Sequence, residues 1–451
     1  VTGMTPREKI VALHRAGDLA AAVPLYGDWL ARNPGDAGMW SNLGAALRKS
    51  GRLEQALRAH RRAQALAGPR DAQVLANLAN VLADLGENRE AIALRRRLLE
   101  LQGPDPMTEA MIGKALRADG RAPAAVDWLR GALTRHPGHV EIRLQLALAL
   151  LAAGRWAEGF DAFGMRWESG ELTPRRMSMP KWDGAPLDGR SLLVMPEQGF
   201  GDSIAFARFL PVARDLGASR VILAARPPLL RLLQAVQGAD LVCPEAEARG
   251  DLWCDLMDLP AHGFARDAAV PPPTRLAVPE DSRARARAVT APYRDRLRVG
   301  VVWSGSPSFR ANAARSFSHE RFLPLADIPG VQLFSLYKGP ALAPYRADGS
   351  AAFIIDACGS DRDFADCAAM MEEMDLIVTS DTVTAHLAGS LGRPVWTLLH
   401  WDAFWLWGRG SERTAWYPSM RLIRQTRPHD WSDVFEAVAR DLAALAGEKR
   451  R

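Results

Sequence analysis

The stretch WSNLGAALRKSGRLEQALRAHRRAQAL, Trp40 to Leu66, reads W-x2-L-G-x2-L over Trp40, Leu43, Gly44 and Leu47, then reaches Gly51, with the small Ala56 five residues further on. Working outward, the same glycine recurs at Gly17, Gly86, Gly120 and Gly154, so neighbouring glycines are 34 or 35 residues apart. Each is followed five residues later by a small residue (Ala22, Ala91, Ala125, Gly159), and prolines at Pro34, Pro69, Pro104 and Pro137 close several units. Leu75, Leu78, Ala79 and Leu82 repeat the Trp40 pattern one unit later. A fixed period of this length marks stacked supersecondary units, and small residues at a fixed place let two helices approach closely. Each unit is a helical hairpin that cannot bury its own apolar face, so the hairpins stack into a superhelix with a concave groove.

These residues resemble tetratricopeptide repeats, about four and a half of them across residues 3–168. A groove of this kind suits an extended protein segment. Asn42 and Asn77 share one repeat position and Gln145 holds the matching place near Gly154, with Met111 interrupting the row. An amide both donates and accepts, so a ladder of amides can pair with the backbone of an acceptor chain without reading its side chains. The ladder is similar to the asparagine ladder of O-GlcNAc transferase-type repeats; the alternative is polar residues on a solvated helix face.

The chain has 451 residues, enough for two to four folded units, and 48% hydrophobic with 24% charged residues is a globular composition. No apolar run approaches the roughly 20 residues of a membrane span, and Val1 to Arg15 lacks the apolar core of a signal peptide. The expected address is cytoplasmic. The four cysteines (Cys243, Cys254, Cys358, Cys367) include no CxxC pair and are too few for a disulfide framework. Residues 1–170 hold 23 basic against 18 acidic residues, whereas 171–451 balance at 34 each. That is no basic stripe, so nucleic acid is not the expected partner. Only six of the 57 cations are lysines, which draws attention to Lys338.

After a Pro- and Trp-containing linker, Pro174 to Pro186, short apolar runs alternate with amphipathic segments in the βαβ manner of a parallel sheet. Strands are predicted at 192–195, 221–224, 241–243 and 252–257, then at 299–303, 331–336, 353–356, 376–379 and 395–399. The expected organisation is a repeat array at 1–170, a first Rossmann-like half at 171–290 and a second at 291–451. Ligands in such sheets sit beyond the carboxyl ends of the strands, so those loops carry the site.

The first strand runs into Pro196-Glu197-Gln198-Gly199-Phe200-Gly201-Asp202-Ser203-Ile204. Ile204 stands where a dinucleotide fingerprint needs its third glycine, so a nicotinamide site is not expected. Gly199 and Gly201 allow close approach of a ligand, and Asp202 is either a helix cap or a carboxylate facing a cleft. In the second half the strand Leu376–Thr379 turns through Ser380-Asp381-Thr382-Val383-Thr384-Ala385-His386 into a helix. Free N–H groups there, with the hydroxyls of Thr382 and Thr384, suit a phosphate or diphosphate. Asp381 could equally cap that helix, and His386 could be a core histidine. The one D-x-D, Asp361-Arg362-Asp363, opens a helix and is read as a cap. No metal site is expected. The tryptophans and phenylalanine at Trp401, Phe404, Trp405 and Trp407 are read chiefly as packing.

Glu197–Asp202, Trp303-Ser304-Gly305-Ser306 with Arg315-Ser316-Phe317, Ser380–Gly389 and Trp416-Tyr417-Pro418 together resemble the heptosyltransferase-like family 9 glycosyltransferases of GT-B fold, over about residues 178–445. Fusion to repeats is similar to O-GlcNAc transferase and to flagellin glycosyltransferases. The resemblance implies an all-α repeat superhelix followed by an α/β GT-B fold, and a sugar transfer from a nucleotide-sugar substrate without a separate cofactor. It implies Asp202 as the base, and Asp381, Thr382 and His386 as the donor-phosphate turn. Leu336-Tyr337-Lys338 resembles an L-Y-K segment of O-GlcNAc transferase, which implies Lys338 on the donor diphosphate, and Arg315 lies near a family cation facing the phosphates. The acceptor implied is a Ser or Thr hydroxyl of a protein, flagellin first. The alternatives are a non-catalytic adaptor with a relic GT-B domain and a transferase acting on a lipid-linked saccharide.

Overall fold

The computed structural model describes residues 4–170, 172–197, 199–309 and 311–449. The chain divides into two compact units, Val1–Ala153 with Met165–Leu172, and Gly154–Gly164 with Thr173–Arg451. Among the described residues no helix is long and apolar enough to cross a membrane.

Among the described residues the first unit holds nine α-helices: Pro6–Arg15, Leu19–Arg32, Ala37–Lys49, Leu53–Ala67, Ala72–Asp84, Asn88–Gln102, Pro106–Ala118, Ala122–Arg135 and Val140–Ala152 (α1 to α9). The periodic glycines end the first helix of each pair. Gly51 takes φ +74°, a left-handed conformation open to glycine at no steric cost, and its four counterparts lie between +74° and +84°. The residue after each of the first four donates its N–H back to a leucine carbonyl: Asp18 to Leu13, Arg52 to Leu47, Glu87 to Leu82 and Arg121 to Leu116. Aspartates cap the opposite ends, where Asp36, Asp71 and Asp105 accept from the N–H three residues on, at 3.0, 3.0 and 2.7 Å. The small residues after the glycines, Ala22, Ala56, Ala91 and Ala125, are fully buried. A Cβ on Gly44 would come within 2.6 Å of the His60 ring, and one on Gly113 within 2.4 Å of Leu129, so the helices of each hairpin are in contact there.

The second unit holds two parallel sheets. Ser191–Met195, Arg220–Ala225, Leu241–Pro244 and Leu252–Asp255 (β1 to β4) lie in the order β3-β2-β1-β4. Leu297–Val302, Val331–Ser335, Ile354–Asp356, Leu376–Ser380, Val395–Leu399 and Met420–Arg424 (β5 to β10) lie in the order β10-β9-β8-β5-β6-β7. Strand β10 was not expected. Its Met-Arg-Leu-Ile-Arg sequence is interrupted by charge because it forms the edge of the sheet beside β9: Met420, Leu422 and Ile423 are buried, whereas Arg421 and Arg424 stay partly exposed. Strand order reverses between β1 and β4 and again between β5 and β8, which opens a crevice at the carboxyl end of each sheet. The helix Trp156–Phe163 (α10) belongs to this unit: Trp156 and Phe160 stack on Phe264 at 5.7 and 5.6 Å, and Phe160 meets Trp405 edge-on at 5.6 Å.

Candidate functional site

The chain leaves β1 through Pro196 and Glu197 and enters the helix Phe200–Phe206 (α11); Gln198 lies outside the described residues. Glu197 Oε1 accepts the Met257 N–H at 3.2 Å, tying this turn to the loop after β4 across the switch point. Asp202 sits in the first turn of α11 and accepts the Gly199 N–H through Oδ2 at 2.7 Å. It therefore holds the helix entrance without being its first residue. Part of its surface stays accessible, yet protein encloses the carboxylate and desolvation pushes its pKa up to about 6. The Gly199 N–H and Arg315 oppose that rise, and the nearby Asp381 carboxylate adds to it.

In the second sheet β8 ends at Ser380, and Asp381 and Thr382 lead into the helix Val383–Ser390. No side chain caps that helix start. Asp381 is therefore not its cap. Burial raises the Asp381 pKa, while Arg315, the Trp407 indole, Arg424 and the Phe404 N–H pull it down. The hydroxyls of Thr382 and Thr384 face each other at 2.6 Å, and Thr384 also meets the Thr379 hydroxyl at 2.7 Å. Gly305, after β5, completes the crevice, since a Cβ there would stand 2.8 Å from Arg315 Nη2 and 3.0 Å from the Thr382 methyl. Asn312 Oδ1 accepts the Gly305 N–H at 3.1 Å and braces the Arg315 loop.

The two halves meet at this point. A Cβ on Gly201 would lie 3.4 Å from Val383 Cα, so the starts of α11 and of Val383–Ser390 approach each other, and the N–H dipoles of both favour negative charge between them. His386 is buried against Gly201, stacks on Trp407 at 5.1 Å and pairs through Nδ1 with the Tyr417 hydroxyl at 3.1 Å. Desolvation, with Arg208 and Arg315 nearby, brings its pKa down to about 3, so the ring is neutral at physiological pH. Arg208 is itself buried, donating from Nη1 to the Pro271 and Trp416 carbonyls at 2.9 Å each and lying over the Tyr417 ring at 4.8 Å.

Asp202, Gly199, Gly201, Arg315, Asp381, Thr382, Thr384 and His386 are thus gathered at one crevice. Lys338, just beyond β6, belongs to a different group: it is exposed and its ammonium donates to the Asp361 carbonyl. Asp363 caps the helix Phe364–Glu372, accepting from Ala365 and Asp366 N–H at 3.0 and 3.3 Å, whereas Asp361 is buried and caps nothing. Of the aromatic cluster, Trp405 is core and Trp407 supports His386. Arg208 and Arg424 carry charge into the site yet had no motif to mark them, Arg424 because it sits on the unrecognised β10. In the repeat unit Asn77 donates to the Ser41 hydroxyl of the preceding hairpin at 2.9 Å and accepts from Gln73 at 3.3 Å. Gln145 is buried and donates to Glu141 at 2.9 Å, and Asn42 is half-buried.

Tetratricopeptide-repeat families match residues 8–68, 74–106 and 116–159. Protein FlbA of Caulobacter vibrioides is 28% identical over 466 residues, covering 94% of this chain and 76% of FlbA. Among solved structures, the MamA protein is 18% identical with a TM-score of 0.32, covering 37% of this chain and 94% of its own. A tetratricopeptide repeat protein from Parabacteroides merdae is 21% identical with a TM-score of 0.33, covering 37% of this chain and 66% of its own. The N-terminal helices are tetratricopeptide repeats.

Proposed function

We propose that the chain is a metal-independent GT-B glycosyltransferase that moves a sugar from a nucleotide-sugar donor to a hydroxyl of a protein acceptor held by its repeats, with flagellin as the first acceptor to test. The observation that carries this reading is the convergence of Asp202 with Arg315 and the uncapped helix start at Thr382, at a crevice between two parallel sheets. Transfer needs a base for the acceptor hydroxyl and positive charge for the leaving diphosphate. Asp202 takes the hydroxyl proton as the acceptor oxygen bonds to the sugar C1, and the bond from C1 to the phosphate oxygen breaks. Arg315 and the N–H groups of Val383 and Thr384 receive the diphosphate. Neutral His386, held by Trp407 and Tyr417, shapes the wall behind Gly201 and adds no charge of its own. Lys338, whose ammonium is bonded to the Asp361 carbonyl, joins the diphosphate from the β6 side only on leaving that bond.

A thermal-shift panel of UDP, GDP, ADP and CMP tests the donor half, because a ligand at 100 times its Kd adds ~2.7 kcal/mol to the folded state. Stabilisation by one nucleoside diphosphate supports the reading, and sugar incorporation into purified flagellin from the matching nucleotide-sugar completes it. Stabilisation without incorporation into any protein acceptor favours the adaptor reading.

A further inference from the structure

The turn after β7 and the helix Phe364–Glu372 place Cys358, Asp361 and Cys367 so that one sulfur or oxygen from each lies within 4.8 Å of the other two. All three residues are buried, at 1%, 6% and 6% exposure. The backbone holds them there. The Asp361 N–H donates to the Cys358 carbonyl at 3.1 Å, closing a tight turn, and Cys367 stands in the first turns of a helix already capped by Asp363. Asp361 Oδ2 is buried and accepts no hydrogen bond. An unpaired buried carboxylate oxygen is costly.

We propose that Cys358, Asp361 and Cys367 form a binding site for one soft divalent cation of the zinc class. Two thiolates and a carboxylate are a zinc donor set, and a water completes four-coordination. Metal–ligand bonds of about 2.0–2.3 Å set ligand-to-ligand distances of roughly 3.5 Å, so the cluster contracts by roughly 1.3 Å at most. On binding, the two thiol protons leave to solvent as the metal–sulfur bonds form, and the cation supplies the partner that Asp361 Oδ2 lacks. The ion clips residues 358–367 together, the segment whose Asp361 carbonyl holds the Lys338 ammonium. The inference rests on this cluster alone and stands or falls apart from the transferase reading.

The test uses the full chain, stripped with a chelator and kept reduced, then titrated with Co2+ and back-titrated with Zn2+. One equivalent of Co2+ producing a sulfur-to-cobalt charge-transfer band, displaced by one equivalent of Zn2+, is the expected result. Cys358→Ser, Cys367→Ser and Asp361→Asn each weaken binding by at least tenfold, while Cys243→Ser and Cys254→Ser leave it unchanged. Asp361→Asn keeps the size of the side chain and the backbone carbonyl that receives Lys338, so it covers the case in which a cysteine variant fails to fold. Absence of the band in the folded parent overturns the site, as does binding that persists undiminished in Asp361→Asn and in every folded cysteine variant. Either result leaves the cluster as thiols and an acid packed together without an ion.

Discussion

Gly201 stands so close to His386 that a Cβ on the glycine would be 2.8 Å from the His386 Cδ2. The ring has no room to retreat, because Trp407 stacks on one face and Tyr417 pairs with Nδ1. Contact between the two sheets at the crevice therefore depends on a missing side chain. Gly201→Ala is expected to cost ~1–3 kcal/mol of stability through overpacking. Gly199→Ala, with the Asp202 oxygen at 3.3 Å as its nearest neighbour, is expected to cost less. Denaturant unfolding of the two variants side by side checks the order.

Asp202→Asn separates the base from the brace. Asparagine still accepts the Gly199 N–H, so folding and nucleotide affinity are expected to hold while kcat falls by about 10²–10⁴. In the parent, activity is expected to rise with pH through about 6, where Asp202 ionises. Stability moves the other way. A carboxyl whose folded pKa is raised contributes stability that is present below the unfolded value near 4 and lost as pH rises through about 6. Unfolding midpoints of parent and variant between pH 4 and 7 are expected to differ by this slope, and a fully active variant would end the assignment of Asp202 as base.

Arg315 and Lys338 are both assigned to the leaving diphosphate from different positions. Arg315→Gln is expected to weaken nucleoside diphosphate binding by roughly 10- to 100-fold, as for the loss of one charge-assisted hydrogen bond. It also removes the cation that holds down the pKa of both Asp202 and Asp381, so the acid limb of the pH profile shifts to higher pH. Lys338→Ala loses one exposed bond to a carbonyl and is expected to lower turnover with little effect on folding. Unchanged turnover in that variant removes Lys338 from the donor site.

The amide ladder is tested by Asn42→Ala with Asn77→Ala. Both leave the packing positions Leu43, Gly44, Leu78 and Ala79 intact. The acceptor KM is expected to rise by very roughly 5- to 150-fold if each amide gives one hydrogen bond of about 0.5–1.5 kcal/mol. Asn77 also binds Ser41, so the single variants should differ in stability, with Asn77→Ala the less stable. Nucleotide Kd on the same preparation should not move, and an unchanged acceptor KM rejects the ladder.

Gly44 and His60 are coupled by contact. Gly44→Ala is expected to destabilise the repeat unit by ~1–3 kcal/mol, since the His60 ring lies 2.6 Å from the new methyl position. His60→Ala leaves a cavity and is destabilising alone, but the double variant should lose less than the sum, because the methyl enters space the ring has vacated. A double-mutant cycle by chemical denaturation measures the coupling.

The repeat unit was legible in the sequence because its determinants are local and recur. The left-handed glycine, the small residue five places on and the Trp40/Leu43/Leu47 face each act within one hairpin, and the period repeats the same statement five times. Most strands of the second unit were legible for a similar reason, as short apolar runs between turns, and residues after β1 and β8 could be nominated because ligands gather at strand ends. The edge strand β10 escaped because Arg421 and Arg424 break up its apolar residues, so they do not form such a run. Tertiary structure alone decided which nominees share a crevice: Asp202, Arg315 and Asp381 are separated by dozens of residues, and only the strand order reversals bring them together. It also turned Lys338 toward Asp361, placed Arg208 and Arg424 beside groups that no motif links to them, and left one buried oxygen of Asp361 without a donor. Burial and charge pairing depend on neighbours distant in sequence, and no local pattern encodes them.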